Sequence, residues 1–275
     1  MKKNIVVLII LILISSCLDS STDVNEKIKL VSTTLGCEDY LSITNDLGVF
    51  CNNVWNKHSA KDYAWKQCLE KKMINDTLRY GWSWKWPSES NVIYAYPQIK
   101  IGRSPWAPAP FFNNRFPLKI NSIPELNISY DIETVTNGQH NLATTMWIVN
   151  SPLKIEQPDP SSIVAEFMIW TYATSKHFNP AGKKYGEVKI DGLEWEVWTD
   201  QNWSDQSGVN SNKWINISFR SKTNHLKVGF NIKKLIEYSI NENILPPDLY
   251  IADLELGNEI RSGSGYTWVK SFKVW

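Results

Sequence analysis

No stretch of this 275-residue chain offers the usual handles of nucleotide or cofactor chemistry. It has no G-x-S-x-G elbow for an acyl-transfer serine and no glycine-rich loop for a phosphate. Its four histidines, His58, His140, His177 and His225, are scattered and never fall at metal-ligand spacing with a cysteine. An excess of one charge is missing too. With 29 basic and 28 acidic residues the formal charge is +1, which gives no reason to expect nucleic acid or an acidic partner. The apolar run Ile5–Ile14 is too short to cross a bilayer. From Cys37 onward there is neither a repeat nor a linker, so one large domain is the economical reading.

That apolar run does fit an export signal. Lys2 and Lys3 precede it, and Ile14-Ser15-Ser16-Cys17 follows, resembling the bacterial lipobox in which the cysteine is acylated and opens the mature chain. An ordinary secretory signal beside a chance cysteine is the plainer alternative. Residues 1–16 are therefore read as a signal peptide, 17–34 as a polar tether after acylated Cys17, and 35–275 as the working domain. Without Lys2 and Lys3 the formal charge becomes −1, so membrane attachment would rest on the lipid. The expectation is an exported, monomeric bacterial lipoprotein of the cell envelope or surface. In that setting the remaining Cys37, Cys51 and Cys68 imply one disulfide and one free thiol.

What the sequence has in excess is aromatic rings, with 14 Trp and 11 Tyr. Rings stack on flat ligand faces, sugars included, although an aromatic β core accounts for some of them. Short β-rich runs recur between Gly, Pro, Asn and Asp: Val92–Ile101, Leu126–Ile132, Asn141–Val149, Glu187–Ile190, Glu194–Thr199, Trp214–Arg220 and Tyr266–Val274. Such punctuation predicts an all-β sandwich or barrel. One helix is predicted over Ile232–Asn243, with Ile232, Leu235, Ile236 and Ile240 on one face and Pro246-Pro247 barring its extension.

Two acidic stretches stand out. In Ala165–Trp170 (A-E-F-M-I-W), strand alternation puts Glu166, Met168 and Trp170 on one face and Ala165, Phe167 and Ile169 on the other. A carboxylate there needs a partner or a proton; a frayed strand end or a structural ion pair is the bland alternative. Tyr250–Gly265 puts Asp253, Glu255, Gly257 and Glu259 on one face. Plain solvent exposure is expected for Asp253 and Glu255. Glu259 and Glu166 together, in a Trp-lined cleft, are what glycosidic bond cleavage uses, one as acid and one supporting the oxocarbenium-like centre.

In chain order, N-N-V-W (Asn52–Trp55), G-W-S-W-K-W (Gly81–Trp86), Y-A-Y-P (Tyr94–Pro97), E-F-M-I-W (Glu166–Trp170) and G-N-E (Gly257–Glu259) before S-G-S-G resemble glycoside hydrolase family 12. The resemblance runs from about Cys37 to the C-terminus. It implies a β-jelly-roll sandwich of two curved antiparallel sheets with a concave substrate cleft, the helix packed on the convex side. It also implies a retaining endo-β-1,4-glucanase needing no metal or cofactor, in which Glu166 is the nucleophile and Glu259 the acid/base. Asn53, Trp55, Trp84, Met168, Trp170 and Thr145 would line the site. Cys37 and Cys68 would form the disulfide, leaving Cys51 free, although Cys51 is near enough in sequence to compete.

One position departs from the family pattern. The family carries an Asp on the strand before the nucleophile, and Asn141–Trp147 puts Thr145 there. Asp131 is a poor substitute because it precedes that strand. A hydroxyl can donate to Glu166 without charge and should ease its ionisation, predicting a pH optimum on the acid side. The jelly-roll xylanases, with E-Y-Y-I-V and T-E-G-Y-Q around their acids, fit less well. A non-catalytic glycan-binding lipoprotein would use the same groove without facing carboxylates. The preferred β-glucan, whether cellulose-like, mixed-linkage or xyloglucan, is left to loops such as Arg103–Asn114 and Trp203–Asn212.

Overall fold

The computed structural model describes residues 32–74, 76–107, 109–113, 115–152, 157–175, 177, 179–206 and 211–275. The signal peptide, Cys17 and most of the tether lie outside the described residues. In chain order the strands begin with β1 Thr33–Gly36, β2 Ser42–Thr44, β3 Val49–Cys51, β4 Lys66–Ile74, β5 Thr77–Lys85 and β6 Gln98–Gly102. Then come β7 Leu118–Lys119, β8 Asn127–Thr136, β9 Gln139–Val149, β10 Ile163–Ala173, β11 Lys183–Ile190 and β12 Leu193–Ser204. β13 Lys213–Ser221, β14 Lys227–Asn231, helix α1 Ile232–Asn241, β15 Tyr250–Ile251, β16 Asp253–Gly257, β17 Ile260–Ser262 and β18 Ser264–Val274 complete the order.

Two sheets result, ordered β1-β4-β5-β18-β8-β14 and β11-β12-β13-β10-β9-β16-β6-β3-β2. They sandwich a core in which Phe167, Phe219 and Val197 of the larger sheet meet Trp82, Ile128 and Tyr130 of the smaller. Alternation sorts β10 as its sequence requires: Ala165, Phe167 and Ile169 are fully buried in this core, and Glu166, Met168 and Trp170 take the outer, concave face. The sheets are not wholly antiparallel, because β10 pairs with β13 in parallel. That pairing joins segments far apart in sequence, which a run-by-run reading does not reveal.

Helix α1 starts where Asn231 caps it, its side-chain oxygen accepting the Lys233 N–H at 2.9 Å. It stops two residues short of the predicted end, and Asn243 takes a left-handed conformation. Ile232, Leu235 and Ile236 are buried, and Tyr238 packs edge-on against Phe219 behind the larger sheet. β1 begins at Thr33, so pairing with β4 already holds two residues that read as tether. Within the run Val92–Ile101 the strand starts only at Gln98 and continues to Gly102, with a single Ala95–Ile260 bridge upstream.

The smaller sheet corrects one site residue. Trp84, expected to line the cleft, is 4 % exposed and sits in the inter-sheet core, edge-on to His140 at 5.4 Å. Trp82 and Trp86 are buried with it, their indole N–H groups donating to Asn258 and Gln67. A ring enclosed between two sheets has no free face for a sugar. Cys37 and Cys68 form a disulfide, and Cys51 is a buried free thiol.

Candidate active site

The concave face is built in rows by strand register. Across β9, Glu166 lies opposite Trp147, Met168 opposite Thr145 and Trp170 opposite Ala143. On the other flank β13 sets Asn216, Ser218 and Arg220 beside the same three residues. Two neutral donors hold the Glu166 carboxylate: Trp214 Nε1 and Asn216 Nδ2 both reach Oε2 at 3.2 Å. Burial nevertheless pushes Glu166 up to about 7, with Asp205 adding to the rise and the two donors opposing it. Trp106, Trp147 and Trp214 meet edge to face beside it, with centroids 5.4–5.9 Å apart, and Trp203 packs on this cluster. Trp106 and Trp203 come from the two segments expected to act as cleft loops.

Glu259 lies in the turn after β16. A side chain at Gly257 would meet the Pro97 carbonyl at 2.4 Å, so glycine lets this strand close against its neighbour. Asn258 anchors the turn inward, accepting from Trp82 Nε1 and Thr267 Oγ1 and donating to the Asn141 carbonyl at 2.7 Å. Asn141 then grips Glu259 twice. Its Nδ2 donates to Oε2, and its Oδ1 accepts the Glu259 backbone N–H at 2.9 Å. Burial and then the charge of Glu166 push Glu259 up to about 8, while Asn141 pulls it down. Glu166 and Glu259 are thus within electrostatic reach of each other although their strand levels, at Trp147 and Asn141, lie toward opposite ends of β9.

A family model, glycosyl hydrolase family 12, matches residues 48–274. The chain belongs to glycosyl hydrolase family 12. It is 26 % identical over 239 residues to Endoglucanase S of Pectobacterium parmentieri, covering 86 % of this chain and 84 % of that protein. A probable xyloglucan-specific endo-β-1,4-glucanase A of Aspergillus clavatus is 21 % identical over 233 residues, covering 83 % and 85 %. Among solved structures, the native family 12 xyloglucanase from Bacillus licheniformis superposes with a TM-score of 0.73 at 24 % identity, covering 89 % of this chain and 99 % of that one. This shared fold is the jelly roll, and the chain is a glycoside hydrolase.

Within this family 12 domain the other expected residues fall out as follows. Asn53 and Trp55 are half-buried near the far edge of the larger sheet, where the Asn53 side chain donates to Gln98 at 3.3 Å and accepts the Trp55 N–H at 3.1 Å. Met168 and Trp170 pack together with Ala143, Trp170 covered by His177 at 5.4 Å. Thr145 does not reach for Glu166; its hydroxyl donates to the Tyr96 phenol at 3.1 Å. Asp253 and Glu255, expected in solvent, are 0 % and 5 % exposed. β16 lies inside the larger sheet between β9 and β6, and its outer-face side chains are enclosed in the groove floor and not exposed to solvent. Asn141, Trp214 and Asn216 were not picked out from sequence. Alternation in the run Trp214–Arg220 was the available signal, but it carries no information on which strand lies alongside.

The surroundings of the two carboxyls point away from the acid-side pH optimum expected from Thr145. Replacing a family Asp by Thr145 removes a like charge, but burial outweighs that relief and leaves the two carboxyls titrating at about 7 and about 8.

Proposed function

We propose that this chain is an endo-acting β-1,4-glucanase that cleaves with retention, Glu166 acting as nucleophile and Glu259 as acid/base. The carrying observation is the pairing itself: Glu166, held by Trp214 and Asn216, and Glu259, held by Asn141, share one groove, and the charge of Glu166 is felt at Glu259. Burial with two neutral donors leaves Glu166 at about 7, and the resulting charge helps hold Glu259 at about 8. Between those values the pair is one carboxylate and one acid, the state double displacement starts from. Glu166 attacks the anomeric carbon while the Glu259 proton goes to the departing oxygen. The Glu259 carboxylate then takes a proton from water, which releases the sugar from Glu166. The Trp106–Trp147–Trp214 cluster beside Glu166 supplies ring surface for sugar faces and keeps water from the nucleophile.

A relative named as an endoglucanase and another named as xyloglucan-specific support a β-glucan substrate. Replacing Glu166 by Gln should lower kcat roughly 10⁴-fold or more on a panel of cellulose-like, mixed-linkage and xyloglucan substrates while oligosaccharide binding persists. Azide should restore turnover to a Glu166→Ala variant with inverted product. Substantial activity in Glu166→Gln would refute the assignment.

The domain works as a monomer, exported and held at a membrane by lipid on Cys17. The lipobox-like Ile14-Ser15-Ser16-Cys17 supports this reading. Incorporation of labelled fatty acid that survives Cys17→Ser would overturn it.

A further inference from the structure

On the same concave face, past Trp170, lies a cavity of about 670 Å³ that the reaction above leaves without a role. Strand register builds its floor. The row of Trp170 continues through Arg220 on β13 and Glu196 on β12 to Glu187 on β11. Trp198 stands one row back, opposite Ser218 and so level with Met168. Its ring is half-buried, and its N–H donates to Glu196 at 3.4 Å. The wall comes from the chain that follows β10 and β13. Asn224 donates to the Ala173 carbonyl at 2.9 Å and accepts the Ala173 N–H at 3.0 Å, and Asn179 accepts from the Arg220 guanidinium at 2.8 Å.

The lining defines the chemistry of a ligand. Among the described residues it carries two acids, Glu187 and Glu196, and two bases, Arg220 and Lys222. Such a set holds out donors and acceptors with no net charge, which suits a neutral ligand rich in hydroxyls and gives an anion no advantage. The Trp198 ring adds an apolar surface. A pyranose has both a hydroxylated rim and an apolar C–H face, and the cavity is of ligand-site size. Position defines which sugar. Ala173 and Thr174 line the cavity, and Ala173 pairs with Asn141, whose amide holds Glu259. The Trp147–Trp214 cluster beside Glu166 sits toward the other end of β10. The cavity therefore adjoins the acid, and the acid faces the departing half of the substrate.

We propose that this cavity takes a neutral sugar on the leaving side of the scissile bond, with Trp198 as its stacking platform and Arg220 as the donor to its hydroxyls. These two side chains then decide where along a glucan the enzyme cuts. Arg220 spends one N–H on Asn179, which fixes the plane of the guanidinium and leaves other N–H groups for a ligand.

The inference rests on Glu259 as the acid/base proposed above, and a comparison of two substrates tests it. A β-1,4-linked glucohexaose needs its departing sugars held. A para-nitrophenyl β-cellotrioside cut at the aryl bond places no sugar in the cavity. Trp198→Ala and Arg220→Ala should each lower kcat/KM on the hexaose about tenfold, the loss of one good contact, and by under about twofold on the aryl substrate. Trp198→Phe, which keeps a ring, should recover most of the loss. The bonds cut in end-labelled hexaose should shift in Trp198→Ala. Equal losses on both substrates, a loss confined to the aryl substrate, or no loss on either overturns the proposal. If Trp198→Ala does not fold, the same ratio in Arg220→Ala decides. Glu259→Gln checks the acid separately, because an aryl leaving group needs little protonation: the hexaose should suffer at least about 100-fold more than the aryl substrate. Failure of that pattern removes the reading of Glu259, whatever the result at Trp198.

Discussion

The edge and the centre of one concave face handle acidic side chains in opposite ways. At the β11–β12 edge, Lys184 contacts both Glu187 and Glu196, and Lys222 contacts Glu187 and Glu194. Lys184 and then Lys222 hold Glu187 down at about 2. In the middle, Glu166 is held by an indole and an amide, and Glu259 by an amide, and burial drives both up. Register ties the regions together, since Trp170, Arg220 and Glu196 lie in one row across β10, β13 and β12. A lysine commits a carboxylate to its charge at every working pH. Neutral donors in a dry site orient it and leave its proton exchangeable near neutrality, which acid–base and nucleophilic chemistry both require.

The sharpest way to break this contrast on the catalytic side is to remove a neutral donor. Asn141→Ala deletes the amide that pulls Glu259 down and leaves the Glu259 backbone N–H without its acceptor. With that pull gone, Glu259 holds its proton to higher pH, so the basic limb of kcat/KM should move up. Misplacement of the acid should lower kcat about 10- to 100-fold. A kcat loss with an unmoved basic limb would make Asn141 a scaffold residue only. In the wild type, the two limbs should bracket an optimum between about 7 and 8.

Much of this arrangement was legible along single strands. Alternation in Ala165–Trp170 places Glu166, Met168 and Trp170 together, and the Gly257-Asn258-Glu259 turn marks the second acid. What lies across strands was not. The donors to Glu166 sit about 50 residues away on a strand that pairs in parallel, a choice no local pattern encodes. Asp253 and Glu255 look like a wet face until the folded groove encloses them and β6 brings Lys100 opposite Glu255. Trp84 reads as a ring for sugar until β5 is seen to belong to the smaller sheet, where that face points into the sandwich. Strand order, not residue type, decides these cases.

Thermal melting as a function of pH sharpens the comparison further, because the two regions should respond with opposite sign. Glu166 titrates higher in the folded chain than in the unfolded one, so its ionisation opposes folding. That penalty is absent below about 4.5 and full above about 7. Glu166→Gln should therefore stabilise the domain at pH 8 by about 2 kcal/mol, allowing for the solvent it still meets, and by little at pH 4. Glu187 titrates lower when folded, so its ion pairs stabilise above about 4.5 and lose that contribution as pH falls toward 2. Glu187→Gln should lower the melting temperature at pH 8, by no more than about 2 °C because the pairs are solvated, and high salt should erase the difference. Equal signs for the two variants at pH 8 would mean that the groove does not hold Glu166 against its preference for water, and the contrast between edge and centre would fail at its root.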